Sequence, residues 1–224
     1  IENLHGSQAG DAITLGDGHS YVFGEGGNDR LTGGAGNNNF FGGQGNDTID
    51  GGAGRDRVSY DNTDPESGAL QTQGIIVNLG TGQVIDHFGD TDTISNIQDI
   101  TGSNLSDLIT GDGQDNHIEG RDGDDTIYGL GGSDYIDVWG GNNLIDGGVD
   151  NDKILDGWGD DTIFGGDGND TIEAWNGGSD SIDAGAGDDR IYSDAWYFNW
   201  GDTATIPTDR VDTVDGGTGY DVLT

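Results

Sequence analysis

Carboxylates and their short polar stand-ins recur at a fixed step along this chain. In the first block they are Asp11, Ser20, Asp29, Asn38, Asp47 and Asp56, nine residues apart. The step returns at Asp107 and runs through Asn116, Asp125, Asp134, Asn143, Asp152, Asp161 and Asp170. After a one-residue slip it continues through Asp180 and Asp189, and Asp212 and Asp221 close the series. There is no cysteine, and His5, His19, His87 and His117 are scattered, so the donors on offer are oxygens. Asp side chains joined by turn carbonyls suit a hard cation that accepts flexible geometry, which favours calcium over magnesium or zinc.

The elements that position these residues follow from what surrounds them. Two positions after each polar residue stands a large apolar one, as in Ile13, Val22, Leu31, Phe40, Ile49 and Val58, and again from Ile109 through Ile172. Glycines lead in, as in Gly42-Gly43-Gln44-Gly45-Asn46-Asp47-Thr48-Ile49-Asp50 and Gly165-Gly166-Asp167-Gly168-Asn169-Asp170-Thr171-Ile172-Glu173. Glycine permits tight-turn backbone, and Thr, Ile, Val and Tyr suit a brief strand, so each nonapeptide reads as a turn plus a strand. One inward apolar residue buries almost nothing alone, and such units must stack on copies of themselves. Two nonapeptides make one 18-residue coil, with the strands in two parallel sheets and the turns on alternating flanks. Stacking then sets each turn Asp about 4.8 Å, one strand spacing, from its counterpart 18 residues on. Carboxylates so close repel unless a cation sits between them.

Parity sorts the flanks. Asp11, Asp29 and Asp47 share one, opposite Ser20, Asn38 and Asp56, so the first is expected to hold calcium and the second to hold it weakly or not at all. In the second block Asp134, Asp152, Asp170 and Asp189 share a flank. Asp107, Asp125, Asn143, Asp161 and Asp180 share the other, with a defect at Asn143. Asp212 and Asp221 complete the expected ligand set of about six to ten calcium ions.

Composition narrows the function. Seven Lys and Arg against 43 Asp and Glu leave a net charge of −36, which disfavours nucleic acid and anionic membrane surfaces. No apolar run approaches the roughly 20 residues that span a bilayer, so no membrane insertion is expected. Lys153 is the one lysine and no Gly-Lys-Ser/Thr string occurs, which argues against a phosphate cradle. Acidic pairs abound too widely to mark a catalytic dyad, and no enzyme activity is expected. The chain starts at Ile1 and has no Met, which reads as a processed product or an excised piece.

Tryptophan departs from the pattern. Trp139, Trp158 and Trp175 occupy turn positions two repeats apart and fall on one flank, and Trp196 follows in the segment Ala195-Trp196-Tyr197-Phe198-Asn199-Trp200. Exposed aromatic rows serve as platforms for sugar rings or apolar partners. The alternative is that the rings cover their own turns, or that the 193–206 loop folds back over Trp139–Trp175 and buries them.

The nonapeptide Gly-Gly-x-Gly-x-Asp-x-U-x, U being large and apolar, resembles that of the RTX (repeats-in-toxin) calcium-binding family of secreted bacterial proteins. The resemblance implies an all-β, right-handed parallel β-roll, type I secretion, folding on extracellular calcium and residence outside the cell or on its surface. A looser similarity to the R-modules of alginate epimerases rests on Gly102-Ser103-Asn104-Leu105-Ser106-Asp107. The expected organisation is a first roll block over 1–59, strand-rich connecting coils over 60–101 with a loop around Asp61–Gln73, a second block over 102–192, an aromatic loop over 193–206 and terminal repeats over 207–224. Three roles stay open: a structural, export or adhesion region of a larger protein, a carbohydrate-binding module with a polysaccharide or cell-surface partner, and a subunit that self-associates end to end.

Overall fold

The protein's structure, a computed structural model, describes residues 2–61, 73–174, 177–193 and 212–224. Its strands alternate between two sheets, as the two-turn period requires. The 11-stranded sheet begins with Glu2–Ser7, Ser20–Glu25, Asn39–Phe41 and Arg57–Ser59, passes through Asp99–Thr101 and His117–Asp122, and ends at Val222–Leu223. The 12-stranded sheet takes the intervening strands, from Ala12–Thr14, Arg30–Thr32 and Thr48–Asp50 to Thr213–Asp215. Coils stack in parallel with a constant offset: Val22 pairs with Phe40, Ile118 with Ile136 and Ile145 with Ile163. The chain is therefore an all-β solenoid of stacked 18-residue coils, as the period predicts.

The apolar residue of each repeat is the centre of its strand and points inward, while its two neighbours face out. Leu31, Phe40, Ile49, Val58, Ile109, Ile118, Ile127, Ile136, Ile145, Ile154, Ile163 and Ile172 are all fully buried, forming one column per sheet. β-branched side chains dominate because they fill a narrow interior in a single rotamer.

Glycine at the fourth turn position meets two demands at once. Gly123 has φ +130°, and a Cβ there would stand 2.7 Å from the carbonyl oxygen of Leu105 on the coil below. Left-handed backbone and close stacking both exclude a side chain.

The interruption differs in one respect from the connecting coils expected over 60–101. Ile76–Asn78 and Gln83–Ile85 form an antiparallel hairpin set into the otherwise parallel 12-stranded sheet, between Leu108–Thr110 and Thr91–Ser95. Beyond it the coil resumes in register: Ile94 pairs with Ile49, and Ile100 joins Val58 to Ile118. The hairpin buries Val77 and Val84 in the same core, so the column runs on through the lost period. The expected loop around Asp61–Gln73 and the 193–206 loop fall largely outside the described residues.

Ion pairs tie the two blocks to each other and to this region. Arg57 meets Glu119 at 2.5 Å, Arg55 meets Asp99 at 2.7 Å and Arg121 meets Asp61 at 2.7 Å.

Because each sheet contributes a single column of large side chains to the core, truncation leaves a cavity that its neighbours do not readily fill. Ile145→Ala is expected to cost about 2–5 kcal/mol, whereas Ile76→Ala, at a 45% exposed strand position, should stay within about 0.5 kcal/mol. Denaturant unfolding at saturating calcium measures both, and equal losses would contradict a core built from these inward columns.

Candidate metal centre

Most turn aspartates divide two jobs between their two oxygens, the exceptions being Asp11 and Asp107, whose Oδ2 accepts the N–H of Ser7 and of Ser103 in their own turns. Oδ1 accepts the backbone N–H of the equivalent residue one coil below, so the carboxylates form a ladder. On one flank Asp11 donates to Asp29 at 2.7 Å, Asp29 to Asp47 at 2.8 Å and Asp47 to Asp92 at 2.9 Å. The same flank continues beyond the hairpin, where Asp107 donates to Asp125 at 2.9 Å and Asp161 to Asp180 at 2.9 Å. On the opposite flank Asp134 donates to Asp152, Asp152 to Asp170 and Asp170 to Asp189, each at 2.8 Å. The last rungs are longer, at 3.2 Å from Asp180 to Asp212 and 3.3 Å from Asp189 to Asp221.

Oδ2 is left over. In Asp29, Asp47, Asp56, Asp125, Asp134, Asp152, Asp161, Asp170 and Asp189 it is buried and has no hydrogen-bond partner in the protein. It sits where the first glycine of its own turn has no side chain: a Cβ on Gly147 would be 2.6 Å from Asp152 Oδ2, and one on Gly165 2.7 Å from Asp170 Oδ2. The motif's first glycine thus keeps open the space that the second oxygen faces.

Burial works against these charges. It pushes Asp47 and Asp125 up to about 8, Asp134 and Asp152 to about 7, and Asp29, Asp56, Asp107 and Asp170 to about 6, despite the backbone N–H each accepts. Asp161 and Asp189 are raised by the same cause. An unpaired buried anion costs several kcal/mol, and a divalent cation between coils removes that cost. The donor set of carboxylate and turn-carbonyl oxygens fits calcium.

The two flanks of the first block carry different side chains. Ser20 and Asn38 are buried and neutral, with Asn38 Nδ2 donating to Gly36 O at 2.7 Å, so that stretch has nothing to neutralise. The interruption supplies members that the nonapeptide pattern did not mark. Asp92 is fully buried, accepts Asp47 N–H and holds the Tyr60 hydroxyl at 3.1 Å, and burial lifts it to about 7. Gln98 takes the aspartate's place on the other flank, its Oε1 accepting Asp56 N–H at 2.9 Å. Asp92-Thr93-Ile94 carries the spacing of the repeat's second half and could have been found by it.

Of the tryptophans, Trp139 and Trp158 lie on adjacent coils, with Trp158 N–H donating to Trp139 O at 2.8 Å. They are 47% and 67% exposed, and the Arg121 guanidinium lies 4.9 Å from the Trp139 ring centre. Trp175 and Trp196 lie outside the described residues. The outer face of the 11-stranded sheet carries a further aromatic stack, His5 on Phe23 on Phe41 at 4.5 Å between rings, which the sequence reading did not single out.

Fold and ladders together define a calcium-binding β-solenoid. The family profile described as the RTX calcium-binding nonapeptide repeat matches residues 5–40, 32–62, 101–136, 140–172, 176–195 and 208–224. The chain belongs to that family. No curated protein sequence matches it. Among solved structures, the extracellular lipase LipA of Serratia marcescens is similar at 18% identity and a TM-score of 0.27, over 84% of this chain and 32% of the lipase.

The raised values fix a pH dependence. Without calcium the folded chain binds more protons than the unfolded one, whose aspartates titrate near 3.8. These groups therefore favour the ion-free fold at low pH, and their contribution is lost as pH rises through about 6 to 8. Circular dichroism of the calcium-stripped chain should lose β signal between pH 5.5 and 8, approached from above the isoelectric point near 4.1. A gain of structure over that range would contradict the burial of uncompensated carboxylates.

Proposed function

We propose that this chain is a calcium-triggered folding region of a larger secreted protein, extended where calcium is scarce and a rigid β-roll outside the cell. The observation that carries the reading is the ladder of buried Oδ2 atoms without protein partners. Asp11, Asp29, Asp47, Asp56, Asp107, Asp125, Asp134, Asp152, Asp161, Asp170, Asp180, Asp189, Asp212 and Asp221 are the proposed ligands, joined by Asp92.

The energetics support a switch. A chain with only 30% hydrophobic residues and a net charge of −36 cannot reach a stable fold from apolar burial alone. Extracellular calcium sites bind at about 10⁻⁴–10⁻³ M, and tenfold saturation of one such site adds about 1.4 kcal/mol. About eight sites would supply around 11 kcal/mol, comparable with the stability of a whole domain. An unfolded chain threads through an export channel, and the same chain folds on meeting calcium. The role after folding is structural or adhesive.

A second reading is favoured by the exposure of Trp139 and Trp158 on adjacent coils. Two partly exposed indoles on one flank of a rigid scaffold suit a polysaccharide.

Two measurements test these readings. Circular dichroism in EDTA at pH 7.5 should give a disordered chain that gains β signal cooperatively between about 0.1 and 1 mM calcium, and a chain already folded in EDTA would overturn the switch. For the second reading, Trp139→Ala and Trp158→Ala should each weaken retention on a polysaccharide matrix while leaving the calcium midpoint unchanged. Unaltered retention in both would remove that reading.

A further inference from the structure

The turn Asp156-Gly157-Trp158-Gly159-Asp160-Asp161 departs from its neighbours at its first residue. Regular turns carry glycine there, and Leu15, Val138 and Ala184, which stand at that position in other turns, belong to the buried apolar core. Position one follows the strand and points inward, so its side chain enters the interior. Asp156 places a carboxylate there and is 1% exposed. Its N–H donates to Glu173 O at 3.1 Å, which fixes its place beside the 11-stranded sheet.

Asp156 does not stand alone. One carboxylate oxygen from each of Asp156, Asp161 and Asp180 lies within 4.8 Å of the others, and all three residues are buried. A calcium ion binds oxygen at about 2.4 Å, so a single ion fits between oxygens at that separation. Asp161 is 1% exposed, its Oδ1 takes the Asn143 N–H at 2.7 Å, and its Oδ2 has no partner. In the glycine turns this second oxygen faces the empty side of position one, and here that side is filled by Asp156.

The neighbouring turn explains what the extra carboxylate offsets. One coil earlier on the same flank, Asn143 replaces the aspartate, and Val138 fills position one with hydrocarbon. The ladder from Asp125 through Asn143 to Asp161 is therefore one negative charge short. Asp156 returns that charge in the next turn.

We propose that Asp156, Asp161 and Asp180 form a three-carboxylate calcium site, tighter than the two-aspartate sites of the regular repeats and compensating for the neutral rung at Asn143. It rests on the calcium-binding reading above. Charge count is what tunes oxygen-ligated calcium sites, so the third carboxylate should make this the first site to fill and a nucleus for folding the second block.

Native mass spectrometry and chelator-competition titration with calcium alone test the site in the whole chain. The wild type should contain one ion held at least about tenfold more tightly than the rest. Asp156→Gly, which restores the residue of a regular turn, and Asp156→Asn, which keeps the shape and removes the charge, should both lose that tight class. Asp183→Asn, at an exposed strand position, should keep it. A tight class that survives in both Asp156 variants, or a wild type with only uniform weak sites, would overturn the three-carboxylate site and leave calcium-driven folding intact. A wild type that takes up no calcium at all would overturn both.

Discussion

A buried carboxylate needs a positive partner, and this fold buries one in nearly every turn while supplying few cations of its own. Seven Lys and Arg side chains serve 43 acidic residues. The aspartate ladder is therefore a main obstacle to folding, and the proposed ions between coils would turn it into a source of cohesion. In most of these carboxylates a hydrogen bond from the coil below satisfies one oxygen, and the other is the one proposed to meet the ion. On the proposed reading, the same aspartate that links adjacent coils makes their stacking depend on calcium.

The rest of the structure follows from keeping that ladder straight. An 18-residue coil brings each aspartate under its counterpart, and one large buried apolar residue at each strand centre lets the coil be that short. Glycine at the first turn position makes room for Oδ2, and glycine at the fourth lets one coil approach the next. Where the period fails, the structure preserves the ladder by other means. The inserted hairpin allows Asp92 to take up the column left at Asp47, and Gln98 bridges Asp56 to the second block through Asn116. Asn143 and Asp156 repeat this logic within one flank, a charge lost in one turn being regained in the next.

Much of this was legible in the sequence because the period is rigid. The spacing of Asp47 and Ile49 sets turn, strand, inward face and flank together, so sheet type, core and the asymmetry between Asp29 and Asn38 could be read from one string. What escaped the reading lies where geometry replaces period. Ile94 and Ile100 continue the core at offsets of 45 and 42 residues from Ile49 and Val58, which no fixed step predicts. The hairpin follows from antiparallel pairing within a short segment, a signal weaker than a repeat. Asp156 was passed over because it occupies a glycine slot, and only the fold reveals that this slot faces the interior beside Asp161.

The account turns on whether cations occupy the spaces beside the orphaned oxygens. Crystals grown in calcium, measured at a wavelength where calcium scatters anomalously, decide this directly. The account requires anomalous peaks between Asp11 and Asp29, between Asp29 and Asp47, and along Asp134, Asp152, Asp170 and Asp189, with none beside the neutral pair Ser20 and Asn38. Peaks of equal height on both flanks of the first block, or a folded chain with no peak beside the aspartates, would contradict it.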